Sequence, residues 1–160
     1  MRVLGIDPGS LVTGFGVVEQ NRYELVHLVN GEIKVQQKGS LAAFLVLIYE
    51  RLKAIIAETK PDAMAVEEVF YGKNVKSLIK QGQARGVAML AGSHSGIPVF
   101  EYSPLAVKQA VVGYGRAEKT QVQQMVKAIL NLAEVPPEDA ADALAVAICH
   151  ANSSGRIPKK

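Results

Sequence analysis

Cysteine is almost missing from this chain of 160 residues: Cys149 stands alone. One thiol excludes an intramolecular disulfide and any zinc site built on several cysteines. Long apolar runs are missing as well. The longest, Leu41 to Tyr49, is nine residues, about half of the roughly 18–20 that span a bilayer, so no transmembrane helix is expected. The short apolar start is stopped by Asp7-Pro8 and does not read as a signal peptide, so a cytoplasmic protein is expected. Low-complexity tracts and internal repeats are also lacking. What remains, 49% hydrophobic and 21% charged residues, suits one well-covered core and is too short for two ordinary domains.

Acidic residues are absent from a long internal stretch. None lies between Glu68 and Glu101, where Lys73, Lys76, Lys80 and Arg85 follow Phe70-Tyr71. The formal charge of +3 therefore averages unlike blocks: residues 1–68 hold seven basic and nine acidic side chains, residues 69–133 hold eight and two, and residues 134–160 hold three and four. Lys108, Arg116 and Lys119 extend the basic block. Basic residues beside aromatics suit a nucleic acid, with lysines on phosphates and a ring available to stack on an unpaired base.

The elements alternate in kind. Residues 2–7, 13–20 and 23–35 read as three local strands, the last running past the turn signal Asn30-Gly31. From Leu41 the apolar period becomes helical, with Ser40 placed to cap and Pro61 to stop it. Residues 62–69 read as a buried strand, 74–94 as a helix with small residues on one side (Gly82, Ala84, Gly86, Ala88, Ala91), and 98–101 as a further strand. Ser103-Pro104 opens a short helix, Gly113-Tyr114-Gly115-Arg116 breaks it, and helices are expected over 118–132 and from Pro136-Pro137-Glu138 to about His150. This order predicts an α/β fold of the ribonuclease H-like kind: a mixed central sheet of about five strands with helices on both faces. The expected domain covers 1–151, with 152–160 as a mobile tail.

Carboxylates in apolar company are the chemical anomaly, because an isolated buried charge is very unfavourable. Asp7 ends one apolar strand, Glu67 and Glu68 end another, and Asp139 and Asp142 sit three apart in an alanine-rich helix. Spacing of three puts both aspartates on one helix face. If the strands are neighbours and the helix crosses their ends, these acids converge. Such a cluster needs cations, and hard oxygen donors suit Mg²⁺ or Mn²⁺. Two such ions on a phosphodiester would activate water and stabilise the leaving oxygen.

Other motifs fail. The segment Gly113 to Thr120 approaches a phosphate-binding P-loop, but Glu118 occupies the position before Lys119 where a glycine is needed. The three histidines and Cys149 read as satisfied structural residues.

Taken together, Gly5-Ile6-Asp7-Pro8-Gly9, Ala65-Val66-Glu67-Glu68-Val69-Phe70, Gln81-Gly82-Gln83-Ala84-Arg85-Gly86, Val107-Lys108-Gln109, Ala117-Glu118-Lys119 and Asp139-Ala140-Ala141-Asp142-Ala143-Leu144-Ala145 resemble the RuvC-type Holliday junction resolvases. The resemblance implies a homodimeric structure-specific endonuclease of recombination and repair that makes paired symmetric nicks in a four-way DNA junction. It implies two Mg²⁺ per subunit, with Mn²⁺ as a substitute, and a RuvAB-type branch-migration complex as partner. It assigns Asp7, Glu67, Asp139 and Asp142 as metal-holding catalytic acids, choosing Glu67 where alternation alone leaves Glu68 open. Lys119 is then the catalytic cation that neutralises negative charge developing in the transition state. Phe70, Lys73, Lys76, Lys80, Arg85, Lys108, Arg116 and Lys119 are the expected DNA contacts. The competing readings are a ribonuclease H-like nuclease for RNA–DNA hybrids and a junction-binding module without catalysis.

Overall fold

A computed structural model describes the chain except residues 23, 36–38, 70, 71, 73 and 155–160. Five strands and five helices follow in order: β1 (Arg2–Asp7), β2 (Val12–Gln20), β3 (Leu25–Lys34), α1 (Leu41–Thr59), β4 (Ala63–Glu67), α2 (Val75–His94), β5 (Val99–Tyr102), α3 (Pro104–Val112), α4 (Lys119–Ile129) and α5 (Glu138–Ser154). The strands form one sheet in the order β3-β2-β1-β4-β5. β1 is antiparallel to β2 and parallel to β4, and β5 is parallel to β4. The expected mixed five-stranded sheet is therefore present.

Strand alternation divides the core. Leu4, Ile6, Phe15, Val17, Met64 and Val66 face α1 and α2, whereas Val3, Val18 and Ala65 face α3, α4 and α5. Helix ends follow local chemistry. Ser40 accepts from the Ala43 amide at 3.1 Å, Asn74 from Ser77 at 3.2 Å and Ser103 from Ala106 at 3.2 Å, each satisfying an amide that the helix leaves free. Lys60 turns left-handed just before Pro61, and Gly113 does the same after α3.

Three local features have physical causes that lie in the packing. Asn30-Gly31 makes no turn: both residues lie inside β3, where Gly31 pairs with Phe15. A side chain at Gly31 would meet the Phe15 ring, so this glycine serves packing and not chain reversal. The small residues of α2 divide between two faces. Ala84, Ala88, Ala91 and Gly92 point inward, while Gly82 and Gly86 face open space. Finally, α5 continues to Ser154, past the tail expected from Asn152. The Ser153 hydroxyl donates to the Cys149 carbonyl at 2.8 Å and Ser154 to Ala151 at 3.2 Å, so the last polar residues bond back to the helix.

The sheet and α5 approach unusually closely. A Cβ on Gly5 would fall on the Ala143 carbonyl and the Ala147 amide, and one on Gly14 would fall on the Asp139 carbonyl. On the helix side, Ala140, Ala143 and Ala147 are fully buried. Neither backbone can move independently of its element, so Gly5→Ala is expected to destabilise the protein by about 3 kcal/mol in urea unfolding. Thr13, by contrast, is fully buried and its hydroxyl finds no partner among the described residues. Thr13→Val should raise stability by about 1 kcal/mol in the same measurement.

Candidate active site

The C-terminal ends of β1 and β4 lie side by side. Their parallel register pairs Gly5 with Ala65 and Ile6 with Val66, so Asp7 and Glu67 are the next residues on neighbouring strands. Both share the face of Gly5 and Ala65, which is covered by α5. Glu68 has the opposite parity and is exposed. Pairing with β1 thus settles what alternation within one strand leaves open. From above, the first turns of α5 bring Asp139 and Asp142 over the same strand ends.

These four acids line one cleft of about 300 Å³ together with Lys108 of α3 and Lys119, the first residue of α4. Gln81 adds a neutral amide to the lining, beside Pro8, Gly9 and Pro104. The Lys119 ammonium pairs with Glu138 at the start of α5. Glu118 proves to be the cap of α4: its backbone N–H donates to the Gln121 side chain at 2.9 Å. The failed P-loop match thus belongs to a helix start.

The remaining sequence-predicted contacts lie elsewhere. Lys76 and Lys80 are exposed on the first turns of α2, and Arg116 is exposed in the segment before α4. Arg85 is turned inward and forms an ion pair with Glu101 of β5, because it follows the buried Ala84 on the helix side that covers the sheet. Phe70 and Lys73, with Tyr71, lie outside the described residues. Gln81 and Glu138 were not singled out from sequence. A neutral amide and a first-turn glutamate carry no signal until the strands and helices are placed.

Burial and mutual repulsion hold protons on the acids. Burial first, then the charge and hydrogen bond of Glu67, push Asp7 from 3.8 up to about 8, with Asp139 adding and Lys119 opposing. Asp142 is pushed up to about 7, by burial and then by Asp7, again against Lys119. Glu67 is also raised by burial, although the Asp7 hydrogen bond and the two lysines hold it back. Asp139 rises through burial and then through the neighbouring Glu32 and Glu138. Among the described residues no three carboxylate, imidazole or thiol groups close on one point at ligand distance.

The histidines and the thiol have structural partners. His150 is buried, with its Nδ1 bonded to the Tyr102 hydroxyl at 2.8 Å, and His27 bonds Asn30 at 2.7 Å. His94 pairs with the Tyr49 hydroxyl, and Cys149 is buried beside the Ala106 carbonyl.

Comparison with known proteins places this cleft in context. The family model described as crossover junction endodeoxyribonuclease RuvC matches residues 3–150. The chain belongs to the RuvC family. A RuvC of Geobacter metallireducens is 57% identical over 155 residues, covering 97% of this chain and 94% of the relative. The solved structure of T. thermophilus RuvC in complex with Holliday junction substrate superposes with a TM-score of 0.89 at 36% identity, covering 96% of this chain and 94% of that one. The yeast mitochondrial Holliday junction resolvase Ydc2, at 12% identity and a TM-score of 0.70, shares the fold. The ribonuclease H-like architecture is thus that of the RuvC family.

A prediction follows from the protons. The folded protein binds Asp7 and Asp142 protons up to about pH 8 and 7, whereas the unfolded chain releases them near 3.8. Without divalent ions, stability should therefore be greatest below about pH 4 as far as these groups decide it, and fall as pH rises to 8. Asp7→Asn should flatten that decline and be more stable than wild type at pH 8 by roughly 1–3 kcal/mol. Urea unfolding across this range in EDTA checks it, and an unchanged slope in the variant would contradict it.

Proposed function

We propose that this chain is a metal-dependent endonuclease that resolves Holliday junctions by paired symmetric nicks. The observation that carries the proposal is the convergence of Asp7, Glu67, Asp139 and Asp142 in one cleft with Lys108 and Lys119, in a member of the RuvC family. The donor set fits Mg²⁺ or Mn²⁺ in chemistry: oxygen ligands only, with burial and repulsion that a divalent cation would relieve. A pair of such ions supplies a water of lowered pKa and a counter-charge for the leaving oxygen. Asp7, Glu67, Asp142 and Asp139 are the residues that would hold such ions, with Asp7 the acid shared between them and Asp139 in a supporting role.

The other residues position the strand. Lys119 is next to the acids but on a different helix, so its ammonium can leave exposed Glu138 for a phosphate oxygen and offset charge that develops there. Lys108 stands across the cleft and neutralises the incoming phosphate. Lys76, Lys80 and Arg116 are exposed cations for the junction arms, a sequence-independent contribution that weakens with salt. Phe70 and Lys73, which follow the Glu67 strand in sequence, are proposed as further contacts to the DNA on the strength of the family resemblance. The expected location is the cytoplasm, and the family resemblance implies a RuvAB-type branch-migration complex as partner.

Two symmetric nicks call for two active sites, and α2 offers a surface for a homodimer. Val75, Ile79 and Leu90 are 66%, 56% and 57% exposed, and Gly82 and Gly86 lie one turn apart on the same side with open space above them. Glycines at this spacing let a second helix approach closely. A two-fold axis there would match the symmetry of an opened junction.

Synthetic four-way junctions, RNA–DNA hybrids and plain duplexes with Mg²⁺ test the reaction. Wild type should nick the junction in two opposed strands, and Asp7→Asn should bind it but lose at least about three orders of magnitude in rate. Preferential cutting of hybrids would replace the substrate, and junction binding without nicking by wild type would remove the catalytic claim. Gly86→Arg tests the dimer. It replaces a helical glycine and touches nothing in the single chain, so folding should persist, while sedimentation reports a monomer and the two nicks lose their coupling.

A further inference from the structure

Glu32 is an unexpected neighbour of the acid cluster. β3 pairs Glu32 with Gly14, and Gly14 is the residue beneath the Asp139 backbone. Because Gly14 has no side chain, nothing on β2 separates a carboxylate on β3 from the first turn of α5. Both Gly14 and its partner Glu32 present the sheet face that α5 covers. The Glu32 side chain is only 12% exposed, and its ion-pair partner is Lys34, two residues along the same strand, at 2.9 Å. Lys34 itself is 66% exposed. A nearly buried carboxylate is thus left with a solvent-exposed, easily screened counter-ion on one side and an aspartate of the cleft on the other. Burial of this kind is unfavourable for stability, which makes a role in the cleft the economical explanation.

We infer that Glu32 is a positioning residue for Asp139, setting its orientation and the negative charge that the cleft offers a divalent cation. The inference rests on the metal-dependent reading above. In the free protein the register of Glu32 beside Gly14, directly under the Asp139 backbone, brings two like charges together, and that repulsion helps to raise the aspartate's pKa. When a cation arrives, the same proximity changes sign in effect. Glu32 then adds an anion just outside the ligand set and restricts the directions that the Asp139 carboxylate can take. Lys34 works against it, since its ammonium pairs with the Glu32 carboxylate and offsets part of its charge. Glu32 and Lys34 therefore form an opposed pair that sets how strongly the α5 side of the cleft draws a cation. Outer carboxylates and amides of this kind commonly alter metal affinity by 10–100-fold.

The test measures Mn²⁺ binding directly, by electron paramagnetic resonance of the free ion at low ionic strength, on wild type, Glu32→Gln and Lys34→Met. Glu32→Gln should weaken the lower-affinity Mn²⁺ by about 10-fold, and nicking should recover when Mn²⁺ is raised. Lys34→Met should tighten the same ion by about 2–3-fold, an effect that 0.5 M salt removes. The metal-free melting temperature of Glu32→Gln should equal or exceed wild type, because a like charge has been removed from Asp139. Opposite shifts are the signature, since a purely structural ion pair would leave Mn²⁺ affinity alone and lower stability in both variants. Unchanged Mn²⁺ affinity in Glu32→Gln, or weakening in both variants, overturns the inference while leaving the metal-dependent reading intact. A wild type that takes up no Mn²⁺ overturns both.

Discussion

Everything at the cleft depends on how closely α5 lies on β1 and β2. A helix normally stands about 10 Å from a sheet because side chains fill the gap. Here Gly5 and Gly14 present backbone to backbone, and the helix answers with alanines. That closeness lowers Asp139 and Asp142 to the level of Asp7 and Glu67, residues that end strands and cannot reach upward. It also explains why α5 is apolar around its whole circumference: from Ala143 to Ala151 every residue is buried, with the sheet below and α3 and α4 beside it. A helix buried on all sides must be supplied with cover, and the two short helices provide it while bringing Lys108 and Lys119 to the cleft.

The electrostatic arrangement works against the free protein. Acids are gathered where burial and repulsion raise their pKa values, and protons occupy positions that the proposed reaction needs for cations. Local instability of this sort is common at functional sites and persists only where the scaffold holds it. The scaffold here is rigid at the points that matter: two adjacent central strands, each flanked on both sides, and a helix locked to them by its backbone.

Much of this was legible in the sequence because it rests on local pattern. Asp7 after an apolar strand, the Asp139 and Asp142 pair among alanines, the capped helices and the basic block all announce themselves within a dozen residues. What could not be read depends on pairing between distant segments. Strand alternation leaves Glu67 and Glu68 equivalent; the family resemblance favours Glu67, and the physical reason appears once β4 is aligned beside β1. Arg85 looks like any cation of the basic block until Glu101 faces it across α2 and β5. Asn30-Gly31 has the composition of a turn, and only the Phe15 ring on the neighbouring strand shows why the glycine is there. Glu32 is an ordinary strand acid in sequence and becomes notable through its register with Gly14.

The Arg85–Glu101 pair has a mechanical meaning. α2 lays its alanine side on the sheet next to the strand that carries Glu67 and turns its glycine side outward, and the ion pair ties its middle to β5. With alanines against the sheet and that tie to β5, the helix has little room to slide. In a dimer built on that outer side, the separation of the two clefts would be a fixed length written into the thickness of two helices. The enzyme would then act as a gauge: a branched DNA whose two scissile phosphates do not match that span could be held at one cleft but not fitted to both.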